Sequence, residues 1–429
     1  MTSKDGERPA KAEGKKAKAT ASVEAAPPTS KDDPFRAGPA LGSLFTKALI
    51  VALVGLGGAA LTGQVMNDGF RRFSYAYLTA YMWGLAIVLG GIFWVTLQNL
   101  VNAKWSVVLR RAGELIATAA PVMAVLALPI VLPIFTGHDV IYAWANHDKV
   151  HADHLLHHKA GYLNPTFFLI RFIVYFGFWT VLSRYFLKQS LEQDKTGAPD
   201  IVGRMKRAAG PGMIVFALTV TFCAIDLVMS LDPYWFSTIF GVYYFASCVL
   251  AINSSLVLFS AWLRGKGRLA NSVTPEHYHD LGKMMFAFTV FWAYIGFSQF
   301  MLIWYANLPE ETGWYKERFE GAWLDVSYAL LILHFVIPFF GLLSRHVKRN
   351  TKALSFWACW VLAVIYLDMF WLVMPEYAAE HPVFGVVEIL CLIGVAGAVI
   401  AAVAFAARNV NLVPVKDPRL DRSLAFENI

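Results

Sequence analysis

The chain has 429 residues, 57% of them apolar and 16% charged, with a mean hydropathy of +0.50 and a formal net charge of +7. Soluble domains carry about 45–50% apolar and about 25% charged residues, so the composition excludes an ordinary soluble protein and indicates a polytopic membrane protein. The basic residues lie in an N-terminal tail and in short clusters between apolar runs, a pattern of topology signals and lipid contacts rather than of nucleic-acid binding.

Residues 1–39 are rich in Lys, Ala, Pro, Glu and Ser and contain no apolar run. They predict a disordered basic tail that stays in the cytoplasm, because a secretory signal needs an apolar stretch. Ten apolar segments follow, each near the roughly 20 residues that cross a hydrocarbon core. The predicted spans are 41–65, 74–98, 112–136, 165–187, 208–231, 235–262, 280–307, 322–344, 353–374 and 383–407, and residues 408–429 predict a polar tail. Lys and Arg cluster after the even-numbered spans, for example Lys104, Arg110 and Arg111, or Arg345, Lys348, Arg349 and Lys352. The opposite connections hold Arg71, Arg72, Lys149, Lys159, Lys316 and Arg318. The positive-inside rule therefore predicts that both ends are cytoplasmic.

An internal repeat organises the spans. Leu-Asn-Pro-Thr from Leu163 leads to Leu-Ser-Arg at Leu182, and Leu-Asp-Val-Ser from Leu324 leads to Leu-Ser-Arg at Leu343, with the same spacing. Asp226 precedes Pro233 as Asp368 precedes Pro375. The expected fold class is an all-α polytopic membrane protein: two parallel four-helix bundles, 74–234 and 235–376, flanked by helices in 40–73 and 377–407.

Ionisable groups inside an apolar span cost about 2.5–3.5 kcal/mol on insertion scales and so tend to face a partner or a cavity. Asp226, Asp368, Glu388, His334 and Arg171 are such groups. Asp226 and Asp368 either relay protons or fix helix packing, and Arg171 either neutralises Asp226 or snorkels to the interface. Glu114 stands four residues after Arg110, the spacing of a helical ion pair. His138 and Asp139, followed by Tyr142 and Trp144, suit either a quinol headgroup or an interfacial cap. The loop 145–164 holds His147, His151, His154, His157 and His158, without an ordered metal-ligand set, and reads better as a docking surface. His279, Asp280 and Lys283 open the seventh span as a proton mouth or a surface pair. Further along it Tyr294, Ser298, Gln299 and Tyr305 form either a proton wire or interhelical hydrogen bonds. The four cysteines lie singly in apolar runs and supply no cluster or covalent-haem motif. One histidine deep in a span is too few for bis-histidine haem, so the chain is expected to hold no redox cofactor of its own and no metal.

Three segments, Y-L-N-P-T-F-F-L-I-R (162–171), D-L-V-M-S-L-D-P-Y-W-F-S-T-I-F-G-V-Y (226–243) and H-D-L-G-K-M-M-F-A-F-T-V-F-W-A-Y-I-G-F-S-Q-F-M-L-I-W-Y-A-N-L-P-E-E-T (279–312), resemble the NrfD/polysulfide-reductase-like membrane subunits of bacterial alternative complex III, a quinol:cytochrome c oxidoreductase. The resemblance spans roughly residues 40–410. Of the two such subunits, ActC and ActF, the length and basic tail look more like ActF. The resemblance implies a bacterial inner-membrane location. It implies as partners the paralogous ActC, an iron–sulfur subunit, a multihaem cytochrome c and small membrane subunits, with a terminal oxidase as an optional associate. Haem c and the iron–sulfur clusters would then sit on those partners. It implies a quinol site mainly in ActC and a proton path in the ActF type, carried here onto His138, Asp139 and Asp226, with Asp368 as repeat mate. A secondary transporter and a purely structural membrane anchor are the other readings of the same residues.

Overall fold

With no water in a bilayer core, backbone amides and carbonyls must pair within the segment, which leaves helices as the economical way for a single apolar run to cross. The computed structural model describes residues 35–36, 38–66, 68–136 and 141–428, and these contain helices and no strand. Among the described residues, ten helices are long and apolar enough to cross a membrane: spans 1 to 10 are Pro39–Val65, Arg71–Leu100, Val107–Phe135, Pro165–Thr196, Asp200–Leu231, Phe240–Gly265, Pro275–Ala306, Gly321–Leu343, Thr351–Glu376 and Val386–Ala407. The protein is thus an all-α, multi-pass membrane protein.

The connections after odd-numbered spans meet on one face, where Tyr234 bonds Asp153 and Tyr377 bonds Asp68. Those after even-numbered spans meet on the other, with both ends of the described chain, where Arg111 bonds Asp194 and Ser423 bonds the carbonyl of Trp105. We call these the loop face and the terminal face. Spans 4 and 5 run past their predicted ends and form a hairpin at the terminal face, where Arg111 bonds Asp194 and Lys416 bonds the carbonyl of Lys195. Gly197 closes span 4 with φ +67, a left-handed conformation that a residue without Cβ adopts freely.

The described residues belong to one compact unit, and its centre is span 2, buried over its whole apolar window. Its repeat mate, span 6, packs directly on it. A Cβ at Gly90 would lie 2.1 Å from the carbonyl oxygen of Cys248, and Tyr244 donates to the carbonyl of Met82 at 2.8 Å. Spans 1 and 10 form a pair through small residues, Gly55 against Gly394 and Gly397 against Ala48 and Ala52, the close approach that helix association in lipid favours. Two spans are irregular. Span 3 is three helical pieces, Val107–Ala117, Ala120–Leu126 and Leu128–Phe135, with Pro121 and Pro129 at the starts of the later pieces. Span 8 carries a π-helical turn, Leu331–Val336, just before Pro338.

The C-terminal segment differs from the expected polar tail. It folds back under the terminal face, burying Leu412, Val413 and Asp417. Asp417 pairs with Arg110 at 2.6 Å and Arg419 at 2.8 Å, and Phe426 packs against Trp105 and His277. Arg110 and Arg111, expected in a loop, are buried in the first turns of span 3 for the same reason: Glu114, Asp194 and Asp417 balance Arg110, Arg111 and Arg419. The bonds from Arg419 and the charges of Arg110 and Arg419 overcome the upward push of burial and hold the Asp417 carboxyl well below the usual range.

Candidate functional site

The two repeat-equivalent aspartates stand near the loop-face ends of spans 5 and 9, each followed by a short 3-10 turn. Both are buried, yet their surroundings differ in kind. Asp226 is locked. Arg171 of span 4 grips it with two charge-assisted bonds, Nε to Oδ2 at 2.8 Å and Nη2 to Oδ1 at 3.0 Å, and Tyr175 donates to Oδ2 at 2.9 Å. Such a fork fixes both charge and orientation. Arg171 is itself held by the carbonyl of Tyr162 at 2.9 Å and by the rings of Tyr162 and Phe167, 3.9 and 4.4 Å away. Of the two roles open to Arg171, neutralisation of Asp226 is the one adopted. Its local positioning follows from the sequence: Asn164 caps span 4 by accepting from the amide of Phe167 at 2.9 Å, and Pro165 opens the first turn. Arg171 and Tyr175 then share a face, one turn apart.

Among the described residues Asp368 has no cation beside it. Its Oδ1 accepts a short bond from the Tyr243 hydroxyl. Its Oδ2 accepts from Ser247 at 3.1 Å and from the indole of Trp292 at 3.1 Å. Tyr243 and Ser247 stand one turn apart on span 6, and Trp292 comes from span 7. His334 stacks on that indole, with ring centroids 3.9 Å apart and planes inclined by 28°. His334 is wholly buried, in the π-helical turn of span 8, and neither ring nitrogen has a hydrogen-bond partner among the described residues. The arrangement is a buried carboxyl served by three neutral donors, with an unpaired imidazole stacked behind one of them. Asp226 is thus held in an ion pair, and Asp368 is held by neutral donors alone among the described residues. Sequence reasoning missed Tyr175, Tyr243, Ser247 and Trp292; the pairs Arg171/Tyr175 and Tyr243/Ser247, each four apart in an apolar span, were the available signal.

The remaining predicted residues separate into several places. Gln299 faces inward, accepting from Ser237 at 2.9 Å and donating to Tyr315 at 3.1 Å. Tyr294 and Tyr305 point outward, 63% and 83% exposed, and Ser298 is half-buried, so the four do not form one line. Asp280 and Lys283 form an ion pair at the terminal face, where Lys283 also donates to Asn428 at 2.9 Å; His279 is buried beside them. Glu114 lies in the terminal-face ion network, bonding Arg110 at 3.3 Å and Arg111 at 3.0 Å. Glu388, at the start of span 10, takes a fork from Arg72, both bonds 2.9 Å. His138 and Asp139 lie outside the described residues. Their neighbours Tyr142 and Trp144 dock on the end of span 5, donating to the carbonyl of Leu227 at 2.9 Å and to the Ser230 hydroxyl at 3.1 Å. In the histidine loop, His147 and His151 meet at 3.0 Å between Nε2 atoms, and no group of three or more metal-ligating side chains gathers among the described residues.

A cavity of about 910 Å3 opens on the loop face between the connections of both halves, lined among others by Asp68, Arg71, Asp232, Glu310, Glu317 and Glu376. Burial pushes the Glu317 carboxyl up. No protein-family model matches this chain, and no curated protein matches it in sequence.

Proposed function

We propose that this multi-pass membrane protein is a subunit of a respiratory quinol-oxidising complex of the alternative complex III type, in the bacterial inner membrane with its terminal face in the cytoplasm, and that its own chemistry is proton handling at Asp368. The resemblance of residues 162–171, 226–243 and 279–312 to the NrfD-like, ActF-type subunit supplies the assembly. The observation that carries the site is a buried carboxyl bonded to the Trp292 N–H and a buried imidazole stacked on the Trp292 ring, the first without a cation beside it and the second without a hydrogen-bond partner among the described residues. Buried ionisable groups in membrane spans are costly, and where no counter-charge cancels them they mark ion and proton routes. Asp368 receives and releases the proton. Tyr243, Ser247 and Trp292 donate to the carboxylate when it is ionised, and His334 offers a basic nitrogen on the same polar seam. Asp226 holds spans 4 and 5 in place through Arg171. Electrons pass through haem and iron–sulfur groups of the partner subunits, and quinol is the reductant. The acidic cavity at the loop face is the proposed outlet.

The test is Asp368→Asn in the assembled complex, reconstituted in vesicles with a quinol and an electron acceptor. Assembly is expected to persist while proton movement per electron falls. Unchanged turnover and coupling in Asp368→Asn and His334→Phe would defeat the proposal and leave an anchoring role. The interruptions of spans 3 and 8 and the large loop-face cavity favour one rival, a secondary transporter; solute uptake by the purified chain alone in liposomes would select it.

A further inference from the structure

Span 7 has two sides. Trp292, Ile295 and Gln299 are buried and face the bundle. Val290, Tyr294, Phe297, Met301 and Trp304 recur three or four residues apart on the opposite side and are all exposed. Residue types at the two ends bracket the depth of this stripe. Lys283, paired with Asp280 and bonded to Asn428, marks the terminal face, and Trp304 and Tyr305 mark the loop-face level where such rings meet headgroups. Tyr294 stands midway between Lys283 and Tyr305, about 16 Å from each at a rise of 1.5 Å per residue, which is the middle of a hydrocarbon core about 30 Å thick. Its hydroxyl makes no hydrogen bond among the described residues, and it stands too deep to reach headgroup water. Other tyrosines deep in spans have acceptors: Tyr81 donates to the carbonyl of Met123, Tyr244 to that of Met82 and Tyr366 to that of Glu388. Outer threonines turn back on their own helix, Thr62 to the carbonyl of Gly58 and Thr221 to that of Ala217, a bond that the length of a tyrosine forbids. Ser298, half-buried one turn beyond Tyr294, likewise makes no hydrogen bond among the described residues.

A hydroxyl without an acceptor is costly in hydrocarbon, and lipid chains at the midplane offer none. A neighbouring helix does, through Ser, Thr, Asn or Gln side chains that bond across helices. Span 8 adds a charge to the same outer surface. It packs beside span 7, with His334 on Trp292 and Phe339 on Phe286, and Asp325, in its second turn from the loop face, is exposed and meets no cation among the described residues. A carboxylate at the border of the hydrocarbon is complemented by a basic side chain at the same depth. We infer that a transmembrane helix of another polypeptide lies along the outward side of span 7, with a side-chain acceptor opposite Tyr294 and Ser298 and a Lys or Arg near its loop-face end for Asp325. This contact requires the multi-pass fold alone and is independent of proton handling at Asp368.

The experiment places a photoreactive benzophenone amino acid at Phe297 or Met301 of the full-length chain in its native membrane. Val181 on span 4 and Ile214 on span 5, both exposed, serve as comparison sites. Phe297 and Met301 should crosslink to one polypeptide, and peptide mass spectrometry should map the joined residue to a transmembrane helix, within two turns of a Ser, Thr, Asn or Gln; the comparison sites should not reach it. Tyr294→Phe keeps the ring and removes the donor. It should leave the thermal stability of the isolated chain unchanged and lower retention of that polypeptide through detergent purification about five-fold, the weight of one hydrogen bond. Asp325→Lys, which sets like charge against the partner's cation, should lower retention at least as much. Crosslinks to lipid or quinone alone, to a second copy of this chain, or equally from the comparison sites would overturn the inference, as would unchanged retention in both variants. A loss of stability in isolated Tyr294→Phe would also overturn it, by showing that the hydroxyl is bonded within the chain.

Discussion

Arg171 and Asp226 give the sharpest quantitative test of the packing. Replacing Arg171 by Leu removes both bonds of the fork to Asp226 and the bond to the Tyr162 carbonyl, and leaves a buried carboxyl with Tyr175 as its remaining side-chain donor among the described residues. Breaking a buried pair from one side costs about 3–5 kcal/mol, because the orphaned charge keeps its desolvation penalty. Both side chains are under one-tenth exposed, so solvent screening offsets little of this. At 3 kcal/mol the folding equilibrium shifts by a factor of more than about 100. Asp226→Leu should cost a similar amount. The double substitution restores neutrality, and its cost should fall below the sum of the singles by about 2 kcal/mol or more. Reversible unfolding in mixed micelles, followed by tryptophan fluorescence, measures all three. Single costs below about 1 kcal/mol, or strictly additive costs, would show that the fork does not hold spans 4 and 5 together.

Gly90→Val should destabilise the protein by about 1–3 kcal/mol or more, since its Cβ meets the Cys248 carbonyl. Gly57→Ala, where a Cβ meets nothing within 4 Å, should be neutral or slightly stabilising in the same unfolding assay. Truncation after residue 409 takes Asp417 from Arg110 and the Asn411 carbonyl from Arg111; it should raise protease sensitivity at the terminal face and lower thermal stability, whereas an unchanged digestion pattern would show that the tail is ornamental. The Asp417 carboxyl is held below its unfolded value, so its contribution is fully present above the ordinary carboxylate range and is lost only as pH falls through the lower folded value. Tail protection, read by hydrogen exchange, should therefore stay constant from pH 7 to about pH 4 and fail on further acidification; loss near pH 6 would contradict the ion network.

Much of the fold was legible because apolar length and charge spacing are one-dimensional properties. All ten predicted segments coincide with helices, and the differences in bounds are largest at the span 4–5 hairpin, where helix continues beyond the apolar run and packs against Arg111 and the C-terminal segment. The C-terminal segment was not legible. Its Asp417, Arg419 and Ser423 read as polar solvent contacts, and only the three-dimensional pairing with Arg110 and Asn102 reveals a buried network. The site divides in the same way. Depth and repeat position singled out Asp226 and Asp368, but what separates them is the partner each meets from another span: Arg171 for the first, Tyr243, Ser247 and Trp292 for the second. Tyr294 and Tyr305 were grouped with Gln299 by proximity in sequence, whereas at 3.6 residues per turn they fall on different sides of span 7.

The contact of span 1 with span 10 has a consequence for how the molecule is made. Span 1 leaves the ribosome well before span 10 and finds its glycine-lined partner only when span 10 has been synthesised, on the order of tens of seconds later. Until then the small-residue groove around Gly55 stays open to lipid. Once span 10 is in place the seam closes, and the amide of Leu412, beyond span 10, bonds the carbonyl of Phe35, ahead of span 1.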